Sequence, residues 1–138
     1  MIAKTCKGDE PIIKEICADC SSDNVRRAYA YIRFATFHQK DVLCEVLDDV
    51  AFYVCYFGKK HCRLVELACK ESHHRQGYGS AALKRIVEAC KQRDIQTITF
   101  RCSSEEGFAW FYIAHGAQIV GKKGEDYEME LRLEEYID

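Results

Sequence analysis

The chain changes its hydrophobic period at Val42. Before that residue, apolar side chains recur at helical spacing from Ile12 to Cys17, and a second helix is predicted over Val25–Phe37. After it, runs of β-branched and aromatic residues alternate with short turns. The pattern therefore predicts two helices followed by a sheet.

The first three strands of this sheet are separated by very short turns. They are predicted over Val42–Leu47, Val50–Phe57 and Cys62–Cys69, with turns at Asp48–Asp49 and at residues 58–60. Strands joined in this way form an antiparallel meander.

A long amphipathic helix follows, predicted over Gly79–Arg93 from apolar residues at i, i+3, i+4 and i+7. A strand over Ile95–Cys102 comes next, and the strand–helix–strand order places it parallel to the third strand. The remaining predicted elements are a short aromatic helix over Glu105–His115 that ends before Gly116, and strands near Gln118–Val120 and Tyr127–Leu133.

Composition supports one α/β (α+β) domain over residues 1–138, with a mixed, mostly antiparallel sheet flanked by helices. A chain of 138 residues with 48% hydrophobic and 30% charged residues can build one core. The longest apolar run, Val50–Phe57, is far shorter than the roughly 20 residues of a membrane span. Residues 1–8 lack the apolar stretch of a secretory signal, so a cytoplasmic protein without a membrane partner is expected.

Nine cysteines are an odd number and cannot all pair within one chain. In a reducing compartment they are expected to be small buried apolar side chains. Cys17 and Cys20 form a C-x-x-C pair, but no second pair lies at a zinc-ligand spacing, so no metal is expected.

Charge is distributed unevenly along the chain. The net charge of −2 argues against a nucleic-acid partner. Residues 59–93 nevertheless carry nine Lys and Arg against three acids, whereas residues 125–138 carry seven acids and only Arg132. Both segments are explained either as solvated faces or as surfaces that attract an anion and a cation.

A glycine-rich turn lies inside the basic segment, between the third strand and the long helix. Gly77 and Gly79 allow a tight turn, and the helix that follows directs free N–H groups and its positive dipole end into it. Such a turn suits phosphate groups, although two glycines there are often only a matter of geometry. It lacks the features of a Walker A loop and of the three-glycine dinucleotide motif.

This turn, in this order of elements, resembles the acyl-coenzyme A motif Gln/Arg-x-x-Gly-x-Gly/Ala of the GNAT superfamily of N-acetyltransferases. Gly77 and Gly79 match the glycines, while His74 stands at the first position and Arg75 is a substitute for its side-chain contact. A second family signature, Tyr followed four residues later by Gly, is matched by Tyr112 and Gly116. Glu105 differs, since many members have Asn there.

The resemblance implies acetyl-coenzyme A as cosubstrate. Its phosphates would be held at the turn, by residues His74, Arg75, Gln76, Gly77, Tyr78, Gly79 and Ser80. In the family the strand before the turn separates from its parallel neighbour, and by position Leu67 and Cys69 would offer backbone N–H groups to the thioester carbonyl and the pantetheine arm.

Two side chains are candidates for proton transfer. Tyr112 stands where the family has its general acid, although neighbouring aromatic residues also suit a purely structural ring. Glu66 is the first candidate for general base, with a strand-face ion pair as the alternative. His73, His115 and Cys69 are weaker candidates.

The expected activity is transfer of an acetyl group to a primary amine by direct attack, in a monomer or homodimer. The acidic segment 125–138 would favour a cationic acceptor. The alternatives are a non-catalytic acyl-coenzyme A sensor or partner module of the same fold, and a thiol-based redox or metal protein suggested by the cysteines alone.

Overall fold

The computed structural model describes residues 1–5, 11–20, 41–104 and 108–138. These residues form three helices, α1 (Pro11–Cys20), α2 (Tyr78–Gln92) and α3 (Phe108–Ala114). They also form seven strands: β1 (Ala3–Thr5), β2 (Val42–Leu47), β3 (Ala51–Phe57), β4 (His61–Cys69), β5 (Thr97–Ser103), β6 (Gln118–Lys123) and β7 (Asp126–Arg132). Short 3₁₀ turns cover Glu71–His73 and Leu133–Glu135.

All seven strands belong to one sheet, in the order β1-β2-β3-β4-β5-β7-β6. Every neighbouring pair is antiparallel except β4 and β5, which are parallel and connected through α2. The predicted mixed, mostly antiparallel sheet with one β-α-β unit is therefore confirmed. Strand β1 was not anticipated, and the helix predicted over Val25–Phe37 lies outside the described residues.

The backbone conformation of Asp48 and Asp49 explains the short turn between β2 and β3. Asp48 and Asp49 both have positive φ, 50° and 57°. Two consecutive left-handed residues are the geometry of a type I′ turn, which matches the right-handed twist of the strands, and aspartate tolerates this conformation better than most residues.

Two hydrophobic cores lie on opposite faces of the sheet. On one face the apolar stripe of α2, together with Tyr112 of α3, packs on inward side chains such as Tyr53, Phe100 and Leu131. On the other face Ile13 and Ile16 of α1 pack on β2 and β3. Along β2 and β3, side chains alternate between these faces, so the neighbour of a residue in one core faces the other core.

A buried carboxylate fixes α2 on the sheet. Glu45 of β2 accepts two hydrogen bonds from Arg85 of α2, at 2.8 Å from Nε and 2.9 Å from Nη2, and a third from the hydroxyl of Tyr53. The hydrogen bond from Arg85, with a smaller contribution from Tyr53, lowers the pKa of Glu45 against the opposing effect of burial. Glu45 is therefore ionised at neutral pH.

Strand β4 carries one residue more than its partner β3. Val54 lies opposite Glu66 and Cys55 opposite Leu64, so Val65 is an extra residue and forms a β-bulge. As a result Leu64 and Glu66 lie on opposite faces although they are two residues apart: Leu64 shares the α2 face with Cys55, and Glu66 shares the α1 face with Val54.

Candidate functional site

Strands β4 and β5 separate after a short parallel pairing. They pair over only three residues each, from His61 to Arg63 and from Thr97 to Thr99. Beyond this point β4 continues beside β3, and β5 continues beside β7. We call the opening between the two diverging strands the β4–β5 gap.

Backbone N–H groups of β4 face this gap. Lys70 N–H donates to Val50 O at 2.8 Å and so points toward β3. Because N–H groups point to alternate sides along a strand, those of Leu67 and Cys69 point the opposite way, into the gap. Leu67 N–H donates there to Oε1 of Glu66, at 3.1 Å. The N–H of Leu67 therefore has a side-chain partner rather than a backbone partner from β5.

Glu66 and Tyr112 approach the gap from opposite faces of the sheet. Tyr112 lies on the α2 face and is 9% exposed, with its ring centroid 4.4 Å from that of Phe100. Burial, followed by the nearby charge of Glu66, raises the pKa of the Tyr112 hydroxyl. The hydroxyl of Tyr112 therefore keeps its proton at neutral pH.

The weaker base candidates are occupied by other contacts. Burial, with a smaller effect of Asp19, raises the pKa of the Cys69 thiol, so this thiol stays protonated at neutral pH and is a poor nucleophile. Nδ1 of His73 lies 2.9 Å from Ser72 Oγ. Both ring nitrogens of His115 lie within hydrogen-bond distance of an oxygen, as described below.

The turn after β4 is held in shape by its own residues. Nε2 of His74 lies 2.9 Å from Cys69 O, so its ring ties the turn to the end of β4. Arg75 and Gly77 have positive φ, 65° and 89°. Arg75, Gln76 and Gly77 are exposed. The side chain at the first motif position thus supports the turn, and Arg75 is free to meet a ligand from solvent.

Free N–H groups collect where α2 begins. The first hydrogen bond of the helix runs from Ala81 N–H to Gly77 O, at 3.0 Å, and Gly77 supplies no side-chain cap. The N–H groups of Tyr78, Gly79 and Ser80 precede this bond and have no carbonyl partner within the helix. Together with the helix dipole they form a site suited to a phosphate group.

The two glycines of the turn serve different purposes. At Gly77 a Cβ atom would meet no atom of the described residues within 4 Å, and the positive φ is what favours glycine. At Gly79 a Cβ atom would lie 3.0 Å from Cζ of Phe111. Gly79 therefore permits the close packing of α2 against α3, a role that the sequence did not indicate.

The acidic segment 125–138 is less available than its composition suggests. Three of its seven acids form ion pairs: Glu128 with Arg101 at 2.8 Å, Glu130 with Arg132 at 3.0 Å, and Asp138 with Lys84 at 3.2 Å. Attraction of a cation would rest mainly on the other four acids.

The cysteines and the other titratable groups do not form a metal centre within the described ranges. Six of the cysteines there are buried and Cys69 is partly buried. Across residues 1–5, 11–20, 41–104 and 108–138, no group of three or more His, Cys, Asp or Glu side chains is arranged to hold a metal ion. Within the same ranges no helix has the length and apolar character needed to span a membrane.

Comparison with solved structures gives many similar folds. The PaiA N-acetyltransferase of Thermoplasma acidophilum, in complex with coenzyme A, has a TM-score of 0.74 and 16% identity, covering 96% of this chain and 99% of that one. The ribosomal-protein-S18-alanine N-acetyltransferase of Escherichia coli has a TM-score of 0.74 and 16% identity, covering 96% and 94%. An aminoglycoside 6′-N-acetyltransferase complexed with coenzyme A has a TM-score of 0.73 and 16% identity, covering 100% of both chains.

The sequence itself also matches a known family. No curated protein sequence matches the chain. The model of the acetyltransferase (GNAT) family matches residues 13–120, which is most of the chain and includes β4, the glycine-rich turn, α2 and α3. The chain belongs to the GNAT acetyltransferase family.

Proposed function

We propose that the protein is an N-acetyltransferase that moves an acetyl group from acetyl-coenzyme A to a primary amine. The observation that carries this proposal is the presence of two sets of backbone donors: the N–H groups at the start of α2, which have no partner within the helix, and those of Leu67 and Cys69, which face the β4–β5 gap. A cosubstrate with phosphates at one end and a thioester at the other requires this arrangement.

The phosphates would lie at the residues from His74 to Ser80. The backbone N–H groups of Tyr78, Gly79 and Ser80 would donate to phosphate oxygens, and the exposed Arg75 and Gln76 would close over them. His74 would contribute indirectly, because its ring is bonded to Cys69 O. The basic charge of segment 59–93 would attract the anion.

The acyl group would lie in the β4–β5 gap. The thioester carbonyl would accept the N–H of Leu67, displacing the carboxylate of Glu66 that holds it now, and Cys69 N–H would bind the pantetheine arm. The displaced carboxylate would then take a proton from the acceptor. Binding of the cosubstrate would in this way prepare the base.

The reaction would proceed by direct attack. Glu66 removes a proton from the ammonium group of the acceptor, and the amine nitrogen then bonds to the thioester carbon. The oxyanion of the tetrahedral intermediate is held by Leu67 N–H. When the C–S bond breaks, the departing thiolate takes the proton of the Tyr112 hydroxyl, which burial keeps protonated. The extra proton on the acetylated nitrogen then passes through water to the tyrosinate and restores Tyr112, and Glu66 releases its proton to solvent.

Acetyltransferase activity is tested by release of the coenzyme A thiol from a panel of amines of different charge, with binding measured separately by thermal shift. Turnover with at least one amine supports the proposal, and a decline in rate with ionic strength would identify a cationic acceptor. Coenzyme A binding without turnover on any amine would instead favour the sensor or partner module.

We propose that the protein acts in the cytoplasm and that residues 1–138 form one domain.

A Glu66→Gln variant tests the base. Glutamine retains an oxygen for the Leu67 N–H, so coenzyme A binding should stay near that of wild type while kcat falls about 10²- to 10⁴-fold. The loss should shrink for weakly basic amines, which are already deprotonated at neutral pH. The matched control is Glu128→Gln, which removes a carboxylate of β7 that is paired with Arg101.

A further inference from the structure

The ring of His115, just after α3, is held on several sides. Nδ1 lies 2.6 Å from Ile137 O, and Nε2 lies 3.0 Å from Ser80 Oγ. Ile137 N–H donates back to His115 O at 2.9 Å. The ring stacks on Tyr136, with 6.1 Å between centroids, and meets the edge of Phe111 at 5.0 Å. Its orientation relative to Ser80 is therefore fixed.

The backbone of segment 133–138 packs closely beside this ring. A Cβ atom on Gly116, whose φ is 101°, would lie 2.0 Å from Glu135 O. No side chain fits at Gly116 while the segment keeps this path. The carbonyl of Ile137 is thereby held in place for Nδ1 of His115.

These contacts determine which nitrogen carries the proton. A carbonyl oxygen only accepts hydrogen bonds, so Nδ1 of His115 is the N–H nitrogen facing Ile137. Neutral imidazole has a single N–H, and Nε2 must therefore accept a hydrogen bond from the hydroxyl of Ser80. While His115 is neutral, Ser80 has no O–H left to donate elsewhere.

Protonation of His115 reverses the second hydrogen bond. Both nitrogens of the imidazolium are donors, so Nε2–H donates to Ser80 Oγ and releases the O–H of Ser80. Ser80 is the third residue of α2, and its backbone N–H is among those free at the start of the helix. The released hydroxyl is then available to an anion at that site.

We propose that His115 is a positioning residue for the cosubstrate, whose imidazolium form directs the Ser80 hydroxyl to a phosphate oxygen of coenzyme A. This inference rests on the proposed function, which places the phosphates of coenzyme A at the residues from His74 to Ser80. Binding of coenzyme A is then coupled to uptake of a proton by His115, because only the imidazolium form leaves the Ser80 hydroxyl available to the phosphate.

The charged groups around this ring come from α2 and from segment 133–138. Lys84 of α2 pairs with Asp138 at 3.2 Å, and the hydroxyl of Tyr136 lies 3.5 Å from the same carboxylate. Burial is the main cause of the raised pKa of Tyr136, and the charge of Glu88 in α2 adds a smaller effect.

The test is calorimetric titration with coenzyme A between pH 5.5 and 8.5, in buffers that differ in ionisation heat. Wild type, Ser80→Ala and His115→Gln are compared, with His61→Gln at the exposed start of β4 as control. Titration of the phosphates of coenzyme A is common to all four proteins and cancels in the comparison. Ser80→Ala removes one hydroxyl from a helix, so it keeps the test valid if His115→Gln does not fold.

In wild type and His61→Gln, coenzyme A affinity should increase more between pH 8.5 and pH 5.5 than it does in Ser80→Ala and His115→Gln. The additional increase should be about tenfold, since hydrogen bonds to charged groups are of this strength. They should also take up more protons on binding than these two variants. An identical pH dependence in all four would overturn the role of His115 and leave the phosphate site standing. If none bound coenzyme A at any pH, the proposed function itself would fail.

Discussion

Gly79, near the start of α2, lies against the ring of Phe111 in the middle of α3 so closely that no side chain fits between them without a shift. A Cβ on Gly79 would lie 3.0 Å from Cζ and 3.2 Å from Cε1 of Phe111. Phe111 is also next to Tyr112, with 5.0 Å between their ring centroids. Gly79 of the proposed phosphate site and Tyr112, the proposed general acid, thus both lie next to the ring of Phe111.

This contact predicts an energetic coupling between the two residues. Alanine stabilises a helix by about 1 kcal/mol relative to glycine, but at Gly79→Ala this gain should be cancelled or outweighed by crowding against the ring, which costs about 1–3 kcal/mol. In a Phe111→Leu background the gain should reappear. A double-mutant cycle by chemical denaturation should give a coupling of about 1 kcal/mol or more, and additive effects would contradict the packing described for Gly79.

The phosphate site predicts a loss of coenzyme A binding in Gly77→Asp. The new carboxylate would stand beside the free N–H groups of α2 and repel the phosphates. Gly124→Asp is the matched control, since Gly124 also has positive φ, 63°, and a Cβ there meets no described atom within 4 Å. Thermal shift with coenzyme A should disappear in the first variant and persist in the second. Equal thermal shifts in both variants would contradict the proposal that the phosphates of coenzyme A bind at this turn.

The proposed acid predicts a defect in turnover without a defect in binding. Tyr112→Phe keeps the ring that packs on Phe100 and removes only the proton donor. We expect kcat to fall about 10²- to 10⁴-fold, with coenzyme A affinity nearly unchanged. Assays with amines of different basicity distinguish amine attack from protonation of the departing thiolate. The decrease in kcat is smaller for those amines whose attack limits the rate. Wild-type turnover on every amine would leave Tyr112 as a structural ring.

The buried carboxylate of Glu45 predicts a stability that depends on pH. Glu45→Gln leaves Arg85 with a weaker partner and should lower the free energy of unfolding by about 2 kcal/mol at pH 7. The matched substitution Glu128→Gln breaks a more exposed pair and should cost less than about 1 kcal/mol.

The sign of the pH effect follows from the lowered pKa of Glu45. Its stabilising contribution is complete above the ordinary pKa of glutamate, about 4.3, and is lost as the pH falls toward the lower pKa of the folded state. Urea denaturation at pH 7 and pH 3 should therefore show wild type and Glu45→Gln converging at the lower pH. A constant difference would show that the pair does not titrate with folding.

The sequence predicted those parts of the fold that depend on local pattern. The stripe from Leu83 to Cys90 predicted α2, and strand–helix–strand order predicted that β4 and β5 are parallel, as observed. Strand β1, with three residues, is too short to give a period.

The face of Glu66 could not be predicted from periodicity. Strict alternation from Cys62 and Leu64 would direct it into the core beneath α2, whereas the extra residue Val65 places it on the other face. An apolar residue within an apolar run gives no sign that it is the extra one. A bulge depends on pairing between strands, which the order of residues along one strand does not contain.

Contacts between distant residues were equally beyond the pattern. Ser80 and His115 lie 35 residues apart. The sequence indicates His115 only as a weaker candidate for proton transfer, not as a hydrogen-bond partner of the Ser80 hydroxyl. The glycine-rich turn of the proposed phosphate site, by contrast, is built from consecutive residues, and so its backbone geometry could be predicted from the sequence.

The bulge in β4 consists of one extra residue, Val65, so the deletion of a single residue would remove it. Deleting that residue would leave Leu64 opposite Cys55 and Glu66 opposite Val54, with every side chain on its present face. The bend that a bulge introduces would be lost, and with it a cause of the separation between β4 and β5. One codon therefore separates a strand that could stay paired along its length from one that diverges from its parallel neighbour.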